Sequence, residues 1–567
     1  MNIEDIRKLK KNKDVIDLRG WVDTIRHHGG LLFFELRDYD SKVQIVTDSP
    51  KEFDNIKNEF YISISGKLVK RQKENINSEE IYGDIEIELN SLDVISESKV
   101  LPFQIEDDIA VDEQIRLKHR YLDIRRKEIK NNINARSNTF KSIREVMNKL
   151  KIDEIDTPTL IKSTPEGAKD FIVPSRKSPG KFYALPQSPQ MYKQLFMLSG
   201  LKNYYQIAKC YRDEDSRKDR QPEFTQLDIE ISNGDPLIVQ NIIEKTLKHV
   251  LKNVYAIEVK TPFNRLTYHD SINLYGTDKP DLRISNTIQD FTEIFINTEI
   301  SFIKETISNK GTVRGFIINE LFTRSKIDSI DEMLKEEGSQ GLGWFKVENN
   351  DISGPLTKIL NDDEITEISK NDNCTILFQA GKTNETAHYL DILRREIYEI
   401  ENHNKYEFVW IDDFPYFEYD EGKLQPSHHP FTSPKDVNKF NKNPEKATAL
   451  HYDLVLNGVE LGSGSQRINN PKLQHDVLSK WGLSDHEINE RFGWFIEALS
   501  YGSPQHAGFA VGIDRLIAEM LNAESIRDVI PFPKTQSGMD PLTDAPSSLT
   551  HEELMEYNLY IDGENDE

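Results

Sequence analysis

Cysteine is scarce in this sequence of 567 residues, since Cys210 and Cys374 are the only two and lie far apart. Their number excludes a disulfide framework and a cysteine-based zinc site, and it suits a reducing compartment. Long apolar runs are also missing, because no stretch reaches the roughly 18 apolar residues of a membrane span. The first residues, MNIEDIRKLKKNK, contain no apolar segment of the kind found in a secretory signal. These absences predict a cytoplasmic protein with no membrane partner.

Positive charge is in deficit as well, because the formal net charge is −24. Such a balance argues against nucleic acid as a partner of the whole surface. The charge is uneven, however: residues 535–567 contain nine acids and no Lys or Arg, whereas residues 116–130 contain seven bases and two acids. We expect an acidic, solvated tail and a basic segment that can meet a phosphate backbone locally.

The N-terminal part of the chain alternates apolar and polar residues in five short runs. The runs are rich in β-branched and aromatic residues and are separated by Gly, Asp, Asn or Lys clusters, which is typical of strands. Five such strands, with aromatic and basic residues in the first three, predict a small barrel of the OB type that binds single-stranded nucleic acid. A barrel with an ordinary surface is the alternative. The runs are VIDLRGWVDTI, LLFFELRD, KVQIVTD, YISISGKLV and DIEIELNSLDVI.

The remainder of the chain mixes helices and strands. Apolar residues recur at helical spacing between residues 132 and 151, which predicts a helix with one buried face. Two stretches between residues 284 and 404 alternate strand and helix signals and predict an inserted α+β module. The apolar face of the predicted helix comprises Phe140, Ile143, Val146, Met147 and Leu150.

A run of opposite charges, RDEDSRKDR, occupies residues 212–220 directly before the segment QPEFTQLDIE. Its four acids and four bases balance. A solvated loop is the simplest interpretation of such a run. Only motifs elsewhere in the chain can show whether the run does more.

The segment YDLVLNGVELGSGSQRI, residues 452–468, predicts a β-hairpin. Asn457-Gly458 is a strong signal for a two-residue type I′ turn between apolar strands. In that register Asp453 and Glu460 lie on one face, a diagonal apart. Two carboxylates without a basic partner repel each other unless a cation lies between them, so the hairpin predicts a Mg²⁺ site beside a phosphate-bearing substrate. An exposed hairpin with acidic decoration is the alternative.

The segment HAGFAVGIDRLIAEML places Gly512 before an apolar-periodic helix and Arg515 in the first turn of that helix. An arginine in this position opposes the helix dipole. Such a local penalty is expected where an anion, for example a phosphate, is bound.

Two further patterns are rejected. The sequence AGKT at residues 380–383 lacks the glycine that a phosphate-binding P-loop carries five residues before Gly381. The pair His428-His429 has no Cys and no third His at metal-ligand spacing, so a zinc site is disfavoured.

Six motifs stand in the order and with the spacing of one family. Together they resemble a bacterial-type aspartyl-tRNA synthetase, which is a class II aminoacyl-tRNA synthetase, and the resemblance covers essentially the whole chain. No single motif decides it, but six in order are very specific. The motifs are TPEGAKDF (164–171), KFYALPQSPQMYKQ (181–194), RDEDSRKDRQPEFTQLDIE (212–230), HHPFTSP (428–434), NGVELGSGSQRI (457–468) and GIDRL (512–516).

The resemblance implies a multidomain α+β fold. It comprises an N-terminal OB-type β-barrel and a class II catalytic domain, an antiparallel sheet flanked by helices, with an inserted α+β module. The expected boundaries are 1–104 for the anticodon-binding barrel, 105–131 for a basic hinge, 132–283 and 405–545 for the two parts of the catalytic domain, 284–404 for the inserted module and 546–567 for an acidic C-terminal extension.

The activity that the resemblance implies is ATP-dependent attachment of L-aspartate to tRNA-Asp through an aspartyl-adenylate. The charged run becomes a loop between antiparallel strands that wraps ATP and reaches the tRNA acceptor end. Arg212, Glu460 and Arg515 are the expected catalytic residues, and Phe224 would stack on adenine with Arg515 on the other face. The implied ATP-binding set is Arg212, Asp213, Glu214, Gln221, Phe224, Glu460, Gly512, Ile513, Asp514 and Arg515, and the implied Mg²⁺ ligands are Asp453 and Glu460.

Selection of aspartate is implied by charges of both signs. Arg467 and Lys193 resemble the pair that grips the side-chain carboxylate. An asparagine amide would leave this buried positive site unpaired. The remaining implied aspartate ligands are Arg212 at the carboxylate, Ser188, Gln190 and Asp228 at the ammonium, Glu166 on a closing loop, and His428 near the substrate.

The barrel resembles the family's anticodon-binding domain. Phe33 would stack an anticodon base, with Gln44 and Arg26 reading base edges beside it. The segment around Pro158 resembles the dimer-forming motif of the family, so a homodimer is expected.

Position 28 bears on which tRNA is charged. His28 stands where members strict for tRNA-Asp carry leucine, and it resembles the relaxed members that also charge tRNA-Asn. The loop QKENIN (72–77) looks more like the strict kind. We favour the relaxed type. A strictly discriminating enzyme, in which His28 is a neutral variant, is the alternative.

Three rival interpretations compete with this one, and the nearest is another enzyme of the same kind. An asparaginyl-tRNA synthetase is disfavoured by the inserted module and by Lys193. A non-catalytic tRNA-binding paralogue would carry a broken ATP site, yet Arg212, Asp453, Glu460 and Arg515 are all present. An amide-forming asparagine synthetase on the same catalytic fold has no reason to carry the barrel.

Overall fold

A computed structural model describes residues 3–8, 15–39, 41–53, 55–78, 80–163, 167–400, 402–420 and 423–561. The chain divides into two compact units, residues 1–111 and 112–567. Among the helices that the structure describes, none has the length and apolar character needed to cross a membrane.

The first unit is a closed five-stranded barrel, so the predicted OB-type architecture is confirmed. Its strands are β1 Ile16–His28, β2 Leu31–Arg37, β3 Lys42–Thr47, β4 Tyr61–Lys70 and β5 Ile85–Ser96, in the order β1-β2-β3-β5-β4. Alternation along each strand sends apolar side chains such as Phe34 and Ile45 into the barrel core. The neighbouring Phe33 is half-buried on the outer face of β2.

The second unit contains the remaining elements, which follow in chain order. From residue 112 to 255 they are α1 Glu113–Lys118, α2 Arg120–Asp123, α3 Lys127–Leu150, β6 Asp153–Glu154, β7 Ile172–Pro174, β8 Phe182–Ala184, α4 Gln190–Leu198, β9 Asn203–Tyr211, β10 Glu223–Ser232 and α5 Pro236–Tyr255. From residue 264 to 397 they are β11 Asn264–Thr267, α6 Tyr268–Tyr275, β12 Gln289–Asp290, α7 Ser301–Ser308, β13 Thr312–Ile318, α8 Arg324–Glu336, β14 Gly343–Glu348, β15 Asp351–Ser353, α9 Asp362–Ile368, β16 Cys374–Gly381 and α10 Thr383–Ile397. From residue 408 to 556 they are β17 Phe408–Asp412, β18 Phe417–Asp420, β19 Lys423–Pro426, α11 Val437–Lys442, β20 His451–Leu456, β21 Val459–Gln466, α12 Pro471–Lys480, α13 Asp485–Leu499, β22 His506–Gly512, α14 Ile513–Leu521 and α15 His551–Glu556.

An eight-stranded sheet organises the second unit, in the order β11-β17-β20-β21-β22-β10-β9-β6. Its central pairs are antiparallel, as predicted, and only the two edge pairs β11–β17 and β6–β9 are parallel. Side chains alternate along β10 between the two faces of the sheet. Leu227, Ile229 and Ile231 enter the main core, whereas Asp228 and Glu230 point to the opposite face.

Helix α3 confirms the predicted apolar face. Ile143 and Met147 are buried in the main core, and Phe140 and Leu150 pack against it. The helix begins at Lys127 and not at Asn132 as predicted.

A second sheet, in the order β12-β13-β16-β14-β15, forms the inserted α+β region. Alternation along β16 sends Phe378 into one apolar cluster and Leu377 into another on the opposite face. Arg394 of α10 is buried and donates to the carbonyl oxygens of Asp281 and Ile284 at 2.7 and 2.6 Å. These bonds fix the segment that enters the inserted sheet.

Part of the predicted basic segment at 116–130 is structural. Arg120 and Arg126 are buried and bind the buried Asp123 at 2.5 and 2.9 Å. Arg120 also donates to the carbonyl oxygens of Arg527 and Ile530. The prediction that this segment offers its bases to a phosphate backbone is therefore wrong for these two arginines, because burial and ion pairing consume their donors.

Candidate active site

A cavity of about 580 Å³ lies over β10, β21 and β22. Its walls come from α4, from the loop between β9 and β10, and from the first turn of α14. The structure thus brings together residues that are far apart in sequence. Thirteen of the predicted ligand-binding residues line the cavity: Ser188, Gln190, Lys193, Arg212, Glu214, Gln221, Phe224, Asp228, Glu460, Arg467, Gly512, Asp514 and Arg515.

Glycines form the floor of this cavity. A Cβ atom on Gly462 would overlap the carbonyl oxygen of Ala510, and one on Gly464 would overlap that of Gly508. A Cβ atom on Gly508 would overlap the carboxylate of Glu230. The run GSGS therefore lets neighbouring strands and the core residues behind them approach closely.

Two cations and two anions lie buried together beside the cavity, and we call them the charge tetrad: Lys193, Asp228, Glu230 and Arg467. All but Glu230 line the cavity. The Lys193 ammonium lies 2.5 Å from Asp228 Oδ1 and 3.2 Å from Glu230 Oε2. Arg467 binds both oxygens of Glu230, with Nε at 3.0 Å and Nη2 at 3.2 Å. Glu230 therefore holds both Arg467 and Lys193. The sequence prediction missed Glu230, although this residue stands two positions after Asp228 in an alternating strand.

The pKa values of the two acids in the tetrad are shifted in opposite directions. Burial disfavours the charged form of Glu230, but the charges of Arg467 and Lys193 outweigh it and lower the pKa of Glu230. Burial raises the pKa of Asp228, because its Lys193 partner offsets only part of the desolvation. Burial also opposes the charge on Arg467, yet Glu230 keeps its pKa raised. The tetrad is formally neutral, so it suits a ligand that carries both signs of charge.

The resemblance implies His428 near the substrate, whereas it is the neighbouring His429 that lies in the wall of the cavity. His429 lines the cavity, and its Nε2 lies 2.8 Å from Arg467 Nη1. Burial and the charge of Arg467 lower its pKa well below the usual value, so the neutral ring accepts a hydrogen bond from the guanidinium. His428 lies behind, stacked on His451 at 3.7 Å between ring centroids. Adjacent side chains of this irregular segment point to different sides, so His429 and not His428 contacts the cavity.

The charged run at 212–220 is a loop between two antiparallel strands, as predicted, since Tyr211 pairs with Glu223. It is docked as well as solvated. Asp219 binds Arg515 Nη2 at 3.2 Å, and the Lys218 carbonyl oxygen accepts from the Ser525 hydroxyl at 2.9 Å. The loop is therefore fixed at one end of the cavity.

Arg212 and Phe224 lie together at the base of this loop. The Arg212 guanidinium lies over the Phe224 ring, 5.0 Å from its centroid. Arg515 instead donates to the carbonyl oxygen of Glu460 at 2.7 Å, and its Nε is buried without a hydrogen-bond partner in the described part of the chain. In this structure Arg212, and not Arg515, makes the cation–π contact with Phe224.

The predicted hairpin is confirmed, with Leu456 paired to Val459 and positive φ at Asn457 and Gly458. Asp453 is buried, and the charge of Glu460 adds to desolvation in raising its pKa well above the usual value. The expectation that this pair lacks a basic partner is wrong. Lys279, from the loop after α6, lies 3.3 Å from Glu460, and His451 Nε2 lies 2.8 Å from Asp453 Oδ1.

The two carboxylates fit a divalent cation that arrives with a substrate. No group of three or more His, Cys, Asp or Glu side chains able to hold a metal occurs among the described residues. Mg²⁺ commonly uses one or two protein carboxylates together with waters and substrate phosphates, so two carboxylates such as Asp453 and Glu460 match the number it needs from a protein.

Several predicted ligands have other duties or lie elsewhere. Both oxygens of Asp514 are engaged, one by Arg136 and one by the Thr225 backbone N–H at 2.7 Å, so this carboxylate positions α14. Ile513 is buried in the main core. Asp213 is exposed beside the cavity, where its backbone N–H donates to Lys169, and Glu166 lies outside the described residues.

Two buried amides in the cavity retain free donors. The Nε2 groups of Gln190 and Gln221 have no partner among the described residues. The other end of the Gln221 amide accepts from the Lys534 backbone N–H at 2.8 Å. Buried donors are nearly always satisfied in proteins, so these two are suited to a bound ligand.

The predicted anticodon residues lie close together on the barrel. Arg26 pairs with Phe33 across β1 and β2, and the exposed His28 ends the same strand. Gln44 on β3 donates its amide to Glu86 at 2.8 Å. Arg26, His28 and Phe33 thus share one hairpin.

Comparison with known families divides the chain in the same way. Residues 112–536 match the family described as tRNA synthetases class II (D, K and N). Residues 16–95 match the OB-fold nucleic acid binding domain.

Comparison with individual proteins gives relatives over nearly the full length. The aspartate–tRNA(Asp/Asn) ligase of Thermoanaerobacter sp. (strain X514) is 43% identical over 99% of this chain and 97% of its own. That of Dictyoglomus turgidum is 44% identical over 96% of this chain and 95% of its own. Among solved structures, the asparaginyl-tRNA synthetase of Entamoeba histolytica in complex with asparaginyl-adenylate aligns with a TM-score of 0.58 at 19% identity, covering 92% of this chain and 95% of its own. That likeness concerns the fold alone.

Proposed function

This chain belongs to the class II tRNA synthetases of the aspartate, lysine and asparagine group, and from that membership we propose that it attaches L-aspartate to tRNA-Asp and tRNA-Asn in an ATP-dependent reaction. The charge tetrad is the observation that carries the choice of amino acid. Free aspartate has two carboxylates and one ammonium, so it needs cations and an anion around it. The tetrad offers both signs within one buried cluster.

Recognition of aspartate follows from the free faces of the tetrad. The Lys193 ammonium and the Arg467 guanidinium bind the side-chain carboxylate, while Asp228 accepts from the substrate ammonium. The free Gln190 donor reaches the same end of the cavity. Asparagine would leave the buried cations facing a neutral amide, which discards charge-assisted hydrogen bonds.

Activation of aspartate then needs positioning and charge neutralisation rather than a covalent enzyme intermediate. The α-carboxylate attacks the α-phosphorus of ATP, the bond to the β-phosphate oxygen breaks, and pyrophosphate leaves. Arg212 binds the α-phosphate and Arg515 binds the leaving phosphates, which agrees with the presence of both arginines in the wall of one cavity. Mg²⁺ held by Asp453 and Glu460 would neutralise charge on these phosphates.

Transfer to tRNA completes the reaction. The 3′-terminal ribose hydroxyl attacks the carbonyl carbon of the aspartyl-adenylate, and AMP leaves. The docked 212–220 loop presents the exposed side chains of Arg217 and Lys218 for the acceptor end. In the barrel, Phe33 and Arg26 provide stacking and base-edge contacts for the anticodon.

The range of tRNA substrates can be tested directly. Purified tRNA-Asp and tRNA-Asn are charged in parallel with labelled aspartate, using the wild type, His28→Leu and the matched control His27→Leu, the adjacent exposed histidine of β1. We expect the wild type and the control to charge both tRNAs. We expect His28→Leu to keep tRNA-Asp charging but to lose about tenfold or more on tRNA-Asn, about 1.4 kcal/mol or more in discrimination.

Each other outcome of the charging experiment has a definite meaning. Charging of tRNA-Asp alone would keep the ligase and refute the argument from His28. Charging of neither tRNA, with ATP and Mg²⁺ present, would favour a non-catalytic tRNA-binding paralogue or an amide-forming enzyme. Pyrophosphate exchange that responds to asparagine and not to aspartate would favour the asparaginyl enzyme.

We further propose that the protein is a homodimer of the cytoplasm. Apolar side chains are exposed on the segment that follows Pro158 and on the β7–β8 ribbon, among them Leu160, Ile172 and Phe182. Such a patch is typical of a subunit interface. Light scattering during gel filtration measures the mass, and Leu160→Asp is expected to shift it toward the monomer. The cytoplasmic location is supported by the free, buried cysteines.

A further inference from the structure

A second cavity, of about 260 Å³, lies where the inserted sheet meets α6. It shares no lining residue with the first cavity. Its polar wall includes Asn273 of α6, Asp290 of β12, Thr312 and Arg314 of β13, and Thr383 at the start of α10. None of these residues has a role in the proposed reaction.

Arg314 is buried in this wall, and the charge of Asp290 offsets only part of the burial that lowers the pKa of its guanidinium. Arg314 is only 3% exposed. Its Nη2 donates to the Thr383 carbonyl oxygen at 2.7 Å and to the Thr386 hydroxyl at 3.2 Å. The Nε and Nη1 groups have no hydrogen-bond partner, and no acidic oxygen of the described residues lies within 4.0 Å of the guanidinium. A buried cation that forms no direct ion pair is costly unless something binds it.

A helix N-terminus faces the same space. Helix α10 is 15 residues long and begins at Thr383, and Lys382 at its N-cap makes no side-chain capping bond. The end of β16 and this first turn are held close, because a Cβ on Gly381 would lie 2.8 Å from the Thr386 methyl group. Although AGKT fails the spacing of a P-loop, it still stands between a strand and a helix whose N-terminal N–H groups attract anions.

Asp290 limits what kind of anion can enter. Its Oδ1 accepts from the Thr292 backbone N–H at 2.8 Å and from the Thr292 hydroxyl at 2.5 Å, so the carboxylate is held as an acceptor at the wall. A bare anion would be repelled there, whereas a ligand with a hydrogen-bond donor beside its oxyanion would be bound. The volume suits a ligand of the size of inorganic phosphate or an amino acid.

We propose that this cavity is a binding site for a small oxyanion that carries a donor group, with Arg314 and the N-terminus of α10 on the oxyanion and Asp290 on the donor. Hydrogen phosphate supplies the donor as a hydroxyl, and an amino acid supplies it as an ammonium. The two sources share one chemistry, and acetate has the oxyanion without the donor. The inference does not depend on the amino acid or the tRNA of the proposed reaction.

The test is a calorimetric titration of the full-length protein with inorganic phosphate, glycine and acetate in turn. Arg314→Gln removes the free charge, and Arg324→Gln is the matched control, because Arg324 lies in the same inserted region with a side chain 61% exposed. We expect phosphate or glycine to bind at least about tenfold more weakly to Arg314→Gln than to the wild type and the control. Binding elsewhere on the chain is common to all three proteins and cancels in this comparison.

Asp290→Asn is the second variant, and it decides the matter even if Arg314→Gln does not fold. Weaker glycine binding in this variant would identify an amino acid as the ligand class, and weaker phosphate binding would identify hydrogen phosphate. Stronger phosphate binding would overturn the role given to Asp290, because it would mean that the carboxylate only repels the anion. The proposal is overturned if Arg314→Gln matches the control with all three probes, or if Asp290→Asn changes the affinity for none of them. Either result would mean that the cavity holds only solvent.

Discussion

Glu230→Gln is the sharpest perturbation that the structure offers, because one charge is removed from the middle of the tetrad. Glu230 is fully buried. Its carboxylate lies 3.2 Å from the Lys193 ammonium and accepts hydrogen bonds from Arg467 Nε at 3.0 Å and Nη2 at 3.2 Å. The glutamine has the same shape but no charge. The amide NH₂ group of the glutamine would also place a hydrogen-bond donor opposite the donors of Lys193 or Arg467.

The expected loss is large, because two buried cations lose their shared anion. Removing one partner of a buried ion pair costs about 3–5 kcal/mol of unfolding free energy. Glu223→Gln is the matched control: Glu223 lies on the same strand and pairs with Lys209 at 3.0 Å, but its side chain is 41% exposed. An exposed pair is worth about 0–1 kcal/mol.

Two assays measure this prediction. Urea unfolding of both variants gives the difference in unfolding free energy from the midpoints and a common slope. Pyrophosphate exchange gives the kinetic effect: we expect Glu230→Gln to raise the KM for aspartate by about a hundredfold or more, since Arg467 and Lys193 lose their positions, while the KM for ATP changes little. A destabilisation within about 1 kcal/mol of that of Glu223→Gln would refute the argument from buried charge. An unchanged KM for aspartate in a folded variant would refute the assignment of the tetrad to aspartate.

Three further predictions test the metal ligands, the barrel and a buried histidine. Glu460→Gln should raise the Mg²⁺ concentration that gives half-maximal exchange by about tenfold or more, because one of the two carboxylates becomes neutral; an unchanged Mg²⁺ requirement would contradict the assignment. Phe33→Ala should raise the KM for tRNA by about 5- to 150-fold, the equivalent of about 1–3 kcal/mol of base stacking, and leave aspartate-dependent exchange intact. Burial lowers the pKa of His451 to about 3. Below pH 6.5 the imidazole is therefore protonated in the unfolded chain but stays neutral in the folded chain. Stability is therefore nearly full above pH 7 and falls as the pH drops toward 3. The loss of unfolding free energy between pH 7 and pH 5.5, measured by urea unfolding, should be about 1.3 kcal/mol smaller in His451→Gln; equal losses would show that His451 titrates normally.

Local chemistry made much of the fold predictable. The hairpin at Asn457-Gly458 follows from a turn that needs positive φ at both residues, and the structure has φ of 52° and 88° there. The five barrel strands follow from alternation in the same way. Each of these signals lies within a few neighbouring residues, so the chain alone carries it.

The parts of the site that were missed depend on contacts between distant segments. Lys279 approaches Glu460 from a loop nearly two hundred residues earlier in the chain, and nothing near it in sequence marks it as a partner. The choice between His428 and His429 is a matter of side-chain direction in an irregular segment. Glu230 could have been found, because strand alternation puts it on the same face as Asp228.

Burial also reversed one expectation drawn from charge. A count of bases at 116–130 cannot distinguish a lysine in water from an arginine that binds carbonyl oxygens in the interior. Arg120 is of the second kind, since it donates to Arg527 and Ile530. Its partners lie some four hundred positions away, so only the folded chain identifies them.

The glycine floor of the first cavity constrains how such a site can diversify. Because a methyl group at Gly462, Gly464 or Gly508 would strike backbone or the Glu230 carboxylate, no single substitution there can make the cavity slightly shallower. Each would disturb the strands before it altered the fit of a ligand. New preferences for an amino acid must therefore arise through the side chains of the walls, at positions such as Lys193 and His429. The strands of the sheet fix the depth of the cavity, whereas the side chains of its walls determine its selectivity and can change.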